Sequence, residues 1–426
     1  MGLGLLGRGV GDTAFLSECG AELIVTDLKS EAELRPSLEQ LKGYRNIQYV
    51  LGGHRREDFR ERDLILKAAG IPLESEYLEE AEAHDIPVEM SASLVAKLTP
   101  ATVVGITGTR GKSTVTQLLY HILKAAGRDV HLAGNVRGIA TLPVLEEADK
   151  DSIIVMELDS WQLQGFGVSH SSPHIGIFTT FYPDHMVYYH DDMERYFADK
   201  ANIFMYQKKG DHLITTDQSH RAILRYSKVV PGNETVVRPY DTNNPALVGE
   251  HNKENAACAA EAARGLGVPE KDIEKAIESF PGVEGRLQFV REVNGVKVYN
   301  DNNATSPDAT TAALKALSKR KNIVLIIGGS DKGLNMRKLI EEIPKHCKGV
   351  VLFAGKGTDT IRDDIQKLED VAIKESSDLN DSVEQALGMA EKGDVLLFSP
   401  AFASFGTFKN EYDRNDQFLS VVEKLS

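Results

Sequence analysis

Val103-Val104-Gly105-Ile106-Thr107-Gly108-Thr109-Arg110-Gly111-Lys112-Ser113-Thr114 reads as a short apolar strand, a glycine turn and the first turn of a helix. The helix continues through Val115, Leu118, Leu119, Ile122, Leu123 and Ala126, a spacing that lays one apolar stripe against a sheet. Such a strand, turn and helix together build an anion site. The amides of the turn and of the helix start converge on one point, where the helix dipole also favours negative charge. Lys112 adds a full positive charge there and Ser113 an oxygen for magnesium, with Gly108, Thr109, Gly111 and Thr114 completing the loop. A strict P-loop would have glycine where Ile106 stands, so the shorter Thr-Gly-Thr-Arg-Gly-Lys-Ser-Thr form carries the reading.

A chain of 426 residues is too long for one ordinary core, and two or three domains are expected. With 42% apolar and 26% charged residues the composition is that of a folded globular protein. No apolar run is long enough to cross a bilayer and no signal-like segment opens the chain, which places it in the cytoplasm without a membrane partner. Cys19, Cys258 and Cys347 lack metal-type spacing and read as buried small apolar residues. A net charge of −14 argues against nucleic acid but leaves room for a small anion in a local basic pocket.

Upstream, residues 2–11 form a glycine-dense turn followed by a helix-like segment to Gly20, then a strand over 22–26 that ends at Asp27. A Rossmann-type half uses glycines and a strand-end acid in this way, but here the chain starts at the turn, so either the start is late or the first strand is absent, and a plain turn between elements is an equal reading. Further strands are expected over 63–67 and 86–90 with a helix over 75–84 between them, and Pro100 marks a boundary. Strands over 152–158, 174–181 and 213–216, with a helical spacing over 193–206, predict a parallel sheet flanked by helices. The pattern breaks near Gly282, after which strands over 323–327, 350–353 and 395–398 predict a second doubly wound sheet.

Glu157 falls at the carboxyl end of a strand, where ligands bind in open α/β sheets, and is placed for magnesium near Lys112 and Ser113. His185 also follows a strand, and its position fits a structural or a chemical role equally. Lys200, by spacing alone, is a surface lysine of an amphipathic helix. Arg286 is suited to neutralise a phosphoryl group, and Asp301 lies in a turn before a helix that Ser306 caps and Pro307 starts; loop capping and a surface ion pair are the plain alternative for both.

Taken together these motifs resemble the Mur ligases, ATP-dependent amide-forming enzymes of peptidoglycan assembly. The resemblance spans nearly the whole chain and rests on residues 107–114, 157–163 (Glu-Leu-Asp-Ser-Trp-Gln-Leu) and 184–186 (Asp-His-Met), His251, Asn252 and Asn255, Gly285-Arg286 and Asn300-Asp301. Within the family the D-glutamate-adding members look most similar, through residues 2–5, 304–305, 328–332 and 397–410.

The resemblance implies an α/β ligase of three domains. A Rossmann-like N-terminal domain (1–98) would hold the UDP of UDP-N-acetylmuramoyl-L-alanine through Leu5, Leu6 and Asp27. A central P-loop ATPase-type parallel sheet (99–283) would bind ATP and Mg2+. A Rossmann-like C-terminal domain (284–426) would bring glutamate. Asn135 and His185 would touch the UDP substrate, Ser113 and Glu157 one magnesium, and His185 and Lys200 a second, Lys200 being carbamoylated in the family. Asn255, Arg286 and Asp301 would bind ATP, and Thr305, Lys332 and Ser404 the glutamate carboxylates. The protein is expected to act as a monomer. Asn303 stands where members often have lysine, Leu6 where a hydroxyl residue is common, and Glu411 where an aromatic residue often stands. The alternatives are an L-glutamate-adding relative, a folylpolyglutamate-type ligase, and a nucleotide-binding regulatory module without ligase activity.

Overall fold

A computed structural model describes residues 1–5, 7–227, 233–404 and 407–425. The chain divides into two compact units, one of Met1–Asp241 with Glu254–Ile277 and the other of Thr242–Lys253 with Glu278–Ser426. The division therefore falls once within the helix Glu250–Gly265.

In the first unit, β1 (Leu23–Asp27) pairs in parallel with β2 (Ile47–Leu51), and β3 (Ile65–Leu66) with β4 (Val88–Glu89). Among the described residues the first strand is β1, after the glycine turn. The backbone of Met1 and Gly2 spans the gap between these pairs. The Met1 amine donates to Leu66 O at 2.9 Å, Ala68 N to Met1 O at 2.9 Å, and Gly2 N to Thr26 O at 2.7 Å. The expected strands over 63–67 and 86–90 shrink to two residues each.

The same unit carries an all-parallel sheet of order β10-β9-β8-β5-β7-β6. Its strands are β5 (Thr102–Thr107), β6 (Val130–Gly134), β7 (Ile153–Glu157), β8 (Ile175–Phe178), β9 (His212–Thr215) and β10 (Asn233–Val236). The core of this sheet has helices on both faces, which is why β5, β7 and β8 read as unbroken apolar runs. The helix Lys112–Ala125 buries Val115, Leu118, Leu119, Ile122 and Leu123 completely, each contributing about 2 kcal/mol of transfer free energy. After β7 the chain passes to the other side of β5, and the crevice for a ligand opens at this reversal, beyond the strands' carboxyl ends. The helix expected over 193–206 stops at Ala201, with Asn202 as its C-cap.

The second unit has a sheet of order β11-β12-β16-β13-β14-β15, parallel except for the hairpin of β11 (Gln288–Val293) and β12 (Val296–Asn300). The remaining strands are β13 (Ile323–Gly328), β14 (Cys347–Phe353), β15 (Ala372–Ser376) and β16 (Val395–Phe398). The carboxyl ends of β12, β16 and β13 lie side by side. Of the cysteines, Cys258 and Cys347 are buried as expected, while Cys19 is exposed at a helix C-cap. Among the described residues no helix is long and apolar enough to cross a membrane.

Candidate active site

Loop 108–111 joins β5 to the helix Lys112–Ala125 and is zipped against residues 179–182, which continue β8. Thr109 N donates to Thr180 O at 2.7 Å, Arg110 N to Thr180 Oγ1 at 2.9 Å, and Tyr182 N to Thr109 Oγ1 at 2.9 Å. Gly111 has φ 89°, a left-handed conformation that costs any other residue strain, and a Cβ on it would strike Asn255 Oδ1. A Cβ on Gly108 would strike Thr179 Oγ1. The loop is thus a cradle that side chains would fill, as a phosphate site requires.

Lys112 folds over this loop, its ammonium donating to Gly108 O at 2.9 Å and Thr109 O at 3.3 Å. Ser113 Oγ donates to Glu157 Oε1 at 3.1 Å, and Glu157 is only 5% exposed at the end of β7. A hydroxyl and a carboxylate beside a phosphate loop are hard oxygen donors. They fit Mg2+, which keeps several waters and takes its other ligands from substrate phosphates. Among the described residues no group of three or more His, Cys, Asp or Glu is gathered for a metal. Backbone bonds from Asn135 N to Glu157 O (2.7 Å) and Leu158 N to Ile106 O (2.8 Å) hold the strand end in place. The Asn135 side chain accepts from Arg8 Nη1, so a residue of the glycine-dense turn meets the central sheet, which spacing did not foretell.

Lys200 overturns its reading as a surface lysine. It is 2% exposed because the turn of helix that bears it packs Tyr196, Phe197 and Ala201 into the core. Its amine donates to Gly108 O at 3.1 Å and Thr107 Oγ1 at 3.4 Å, and lies 5.0 Å from the centre of the Tyr196 ring. Burial, and then the nearby charge of Lys112, hold its proton affinity well below that of an ordinary lysine.

His185 adopts φ 55°, strained for a side-chain-bearing residue. Its ring lies on Trp161, centroids 4.6 Å apart, and Nε2 is 3.6 Å from Asp184 Oδ2. Burial lowers its proton affinity below the usual histidine value despite the carboxylates of Asp184 and Asp159. Asp159 also caps the helix Ser160–Val168 through Gln162 N. Asp159 and Trp161 belong to the motif of residues 157–163, but spacing gave neither a role of its own, because their nearness to His185 arises only on folding.

At the glycine-dense turn, Leu5 is 49% exposed and Leu6 lies outside the described residues. The Asp27 carboxylate is 5% exposed and accepts from Gly4 N and Lys29 N, each at 2.9 Å, so it shapes the turn.

In the second unit, Asp301 is buried after β12 and accepts from Leu287 N at 3.0 Å and Ser399 Oγ at 2.8 Å. Burial pushes its carboxyl up to about 7, against the pull of Ser399, Leu287 and the Arg286 charge. Arg286 is exposed. Lys332 Nζ donates to Thr305 Oγ1 at 3.0 Å. Ser330 N bonds Ala403 O at 2.9 Å, which brings the Lys332 loop beside Ser404, itself 4% exposed. Thr305, Lys332 and Ser404 thus gather at the ends of three adjoining strands, as loops at a strand-order reversal do.

Residues 106–246 match the Mur ligase middle domain, and residues 285–402 match the Mur ligase, glutamate ligase domain. The UDP-N-acetylmuramoylalanine--D-glutamate ligase of Roseiflexus sp. (strain RS-1) is 36% identical across 100% of this chain and 98% of its own. The chain belongs to the Mur ligase family. A ligase of the same name from Borreliella afzelii (strain PKo) is 34% identical over 100% of this chain and 97% of its own.

Among solved Mur ligases, the Thermotoga maritima UDP-N-acetylmuramate-alanine ligase shares the fold with a TM-score of 0.63 at 19% identity, covering 100% of this chain and 98% of that one. The Thermotoga maritima MurF ligase, solved with ADP, gives 0.59 at 19% identity over 87% and 96%. The E. coli FolC protein with ADP gives 0.57 at 19% over 78% and 91%. This Mur ligase is accordingly an enzyme of the acid--amino-acid ligase class.

Proposed function

We propose that this Mur ligase joins D-glutamate to UDP-N-acetylmuramoyl-L-alanine, using ATP and Mg2+, in the synthesis of a peptidoglycan precursor. The observation that carries the reading is the convergence of Lys112, Ser113, Glu157 and Lys200 on one glycine loop, in a chain matched end to end by ligases of that name. The substrate's alanyl carboxylate would attack the γ-phosphate of ATP, releasing ADP and leaving an acyl phosphate. The amine of glutamate would then add to the acyl carbon, and phosphate would leave from the tetrahedral intermediate.

Loop 108–111, with Thr109 and Thr114, holds the phosphates, and Lys112 neutralises charge as it develops on them. Ser113 and Glu157 hold Mg2+, which when bound supplies Lewis-acid stabilisation of phosphate oxygens. A neutral Lys200 amine can add to CO2, forming an N–C bond and losing one proton, to give a carbamate. That group, with His185, offers oxygen and nitrogen ligands for a second Mg2+. Asn255 lies against the loop and Asp301 and Arg286 bind the nucleotide, while Thr305, Lys332 and Ser404 take the glutamate carboxylates. Leu5, Leu6, Asp27, Asn135 and His185 hold the UDP-muramoyl substrate. Residues 1–98, 99–283 and 284–426 divide these tasks. We place the enzyme in the cytoplasm as a monomer, without a nucleic-acid or membrane partner.

The test is turnover with ATP, Mg2+ and UDP-N-acetylmuramoyl-L-alanine while D-Glu, L-Glu and other amino acids compete, followed by mass spectrometry and chiral analysis. A D-glutamyl product with one ADP and one phosphate per amide is expected. An L-glutamyl product, or phosphate release only with a folate, would overturn the assignment.

A further inference from the structure

Arg414 is 1% exposed, among the largest fully buried side chains of the protein, and sits in the first turn of the helix Glu411–Glu423. A cation is least welcome there, since the helix dipole presents positive charge at its N-terminus. Its hydrogen-bond acceptors are neutral. Nε donates to Asn302 Oδ1 at 2.7 Å, Nη2 to Asn302 O at 2.8 Å and Nη1 to Phe402 O at 3.1 Å. Burial pulls the guanidinium down to about 10, with Glu411 opposing. Lysine could not reproduce this grip. A planar fork of fixed donors holds two chain segments at once, whereas an ammonium on a flexible stem does not.

The two segments are the turn of residues 300–303 and the loop of residues 401–404. Asn302 Nδ2 returns a bond to Glu411 O at 2.9 Å, and Asn300 Nδ2 bonds Asn415 Oδ1 at 2.8 Å, so the turn is buckled to the helix from both ends. The loop is tied to the turn's far side by Ala401 N to Ala304 O at 2.8 Å, with Ala401 held at φ 60°. A left-handed alanine persists only where its surroundings over-determine it.

We propose that Arg414 is a positioning residue that makes the Asp301 turn and the Ser404 loop one rigid body, so that nucleotide and amino acid are held in register within the second unit. The inference rests on the functional reading above, in which Asp301 serves ATP and Ser404 serves glutamate. It adds a residue that touches neither ligand yet acts on both sites through Asn302 and Phe402.

The experiment compares Arg414→Lys, Asn302→Ala and, as a stability control in the same helix, Phe418→Ala, which removes a fully buried ring stacked on Phe398. For each, the melting temperature and the KM for ATP, glutamate and UDP-N-acetylmuramoyl-L-alanine are measured. Arg414→Lys and Asn302→Ala should each raise KM for both ATP and glutamate about tenfold, the loss of a charge-assisted hydrogen bond, and leave KM for the UDP substrate unchanged. Phe418→Ala should lower the melting temperature without that selective pattern. Equal changes in all three KM values, or a selective pattern in Phe418→Ala as well, would reduce Arg414 to ordinary packing and overturn the proposal. Should Arg414→Lys not fold, Asn302→Ala alone decides by the same criterion. Absence of glutamate-dependent phosphate release in the wild type would instead defeat the functional reading itself.

Discussion

The side-chain amines of Lys112 and Lys200 both donate to the carbonyl oxygen of Gly108, at 2.9 and 3.1 Å. Two like charges this close to one acceptor are costly to hold in a buried site, and Lys200, the more enclosed, is the one whose proton affinity falls well below that of an ordinary lysine. The loop thereby sets Lys200, enclosed and with lowered proton affinity, apart from the less buried Lys112 beside it.

Lys200→Ala should lower kcat at least ~100-fold, as loss of a metal-binding group does, and a short carboxylic acid should restore part of it. Full activity in that variant would remove the carbamate role. Lys200→Met should in addition be more stable than wild type at pH 7 in CO2-free buffer. The folded protein holds this lysine below its unfolded value of 10.5, so between the two values the unfolded chain binds more protons and stability rises with pH. The advantage of the methionine variant should therefore narrow as pH approaches 10, measured by thermal melts.

The Ser113 to Glu157 contact predicts a metal phenotype. Glu157→Gln keeps the shape but removes the charge, and the Mg2+ concentration for half-maximal rate should rise ~10- to 100-fold. An unchanged Mg2+ dependence would take Glu157 away from the metal.

Trp161 is the protein's single tryptophan and its ring centre lies 4.6 Å from that of His185 at a tilt of 46°, which makes its fluorescence a reporter of that imidazole. Protonated imidazole should quench it with a midpoint below 6.5, because burial disfavours the cation. The unfolded chain takes up this proton first as pH falls through 6.5, so the same group makes stability drop on acidification. The titration should vanish in His185→Gln, and a midpoint above 6.5 would contradict the desolvation of this ring beside Trp161.

Asp301 titrates at about 7 rather than 3.8, so the folded protein binds the extra proton between those values and loses stability as pH rises through the window. Asp301→Asn should melt higher than wild type at pH 8. It should also raise KM for ATP about tenfold or more, since an ionised acceptor makes the stronger hydrogen bond. In the wild type KM for ATP should fall as pH rises through about 7, and a flat profile would count against a nucleotide role.

Much of this was legible in the linear chain. The strand, glycine turn and helix of residues 102–125 and the apolar runs at β7, β8, β13 and β16 are local patterns, and local patterns suffice where periodicity and backbone sterics dominate. The strand-end position of Glu157 and the cap at Ser306 follow from the same source. The helix running past Ala201 was misjudged because apolar residues continue into a turn, where spacing cannot tell one from the other. The hairpin β11–β12 was missed because β11, at the sheet edge, mixes charge with apolar residues, and β12 carries Lys297 and Asn300 among its apolar residues.

The amino-acid sequence by itself determined the α/β class, the apolar strands of the two large sheets' centres and the glycine loop of residues 108–111 between strand and helix, since those depend on neighbours a few residues away. Only the tertiary structure decided that Lys200 is buried on Gly108, that His185 lies on Trp161, and that Arg414 grips Asn302 and Phe402. Proton affinity and side-chain grip depend on desolvation and on partners brought from distant positions, and neither is encoded in the spacing of residues along the chain.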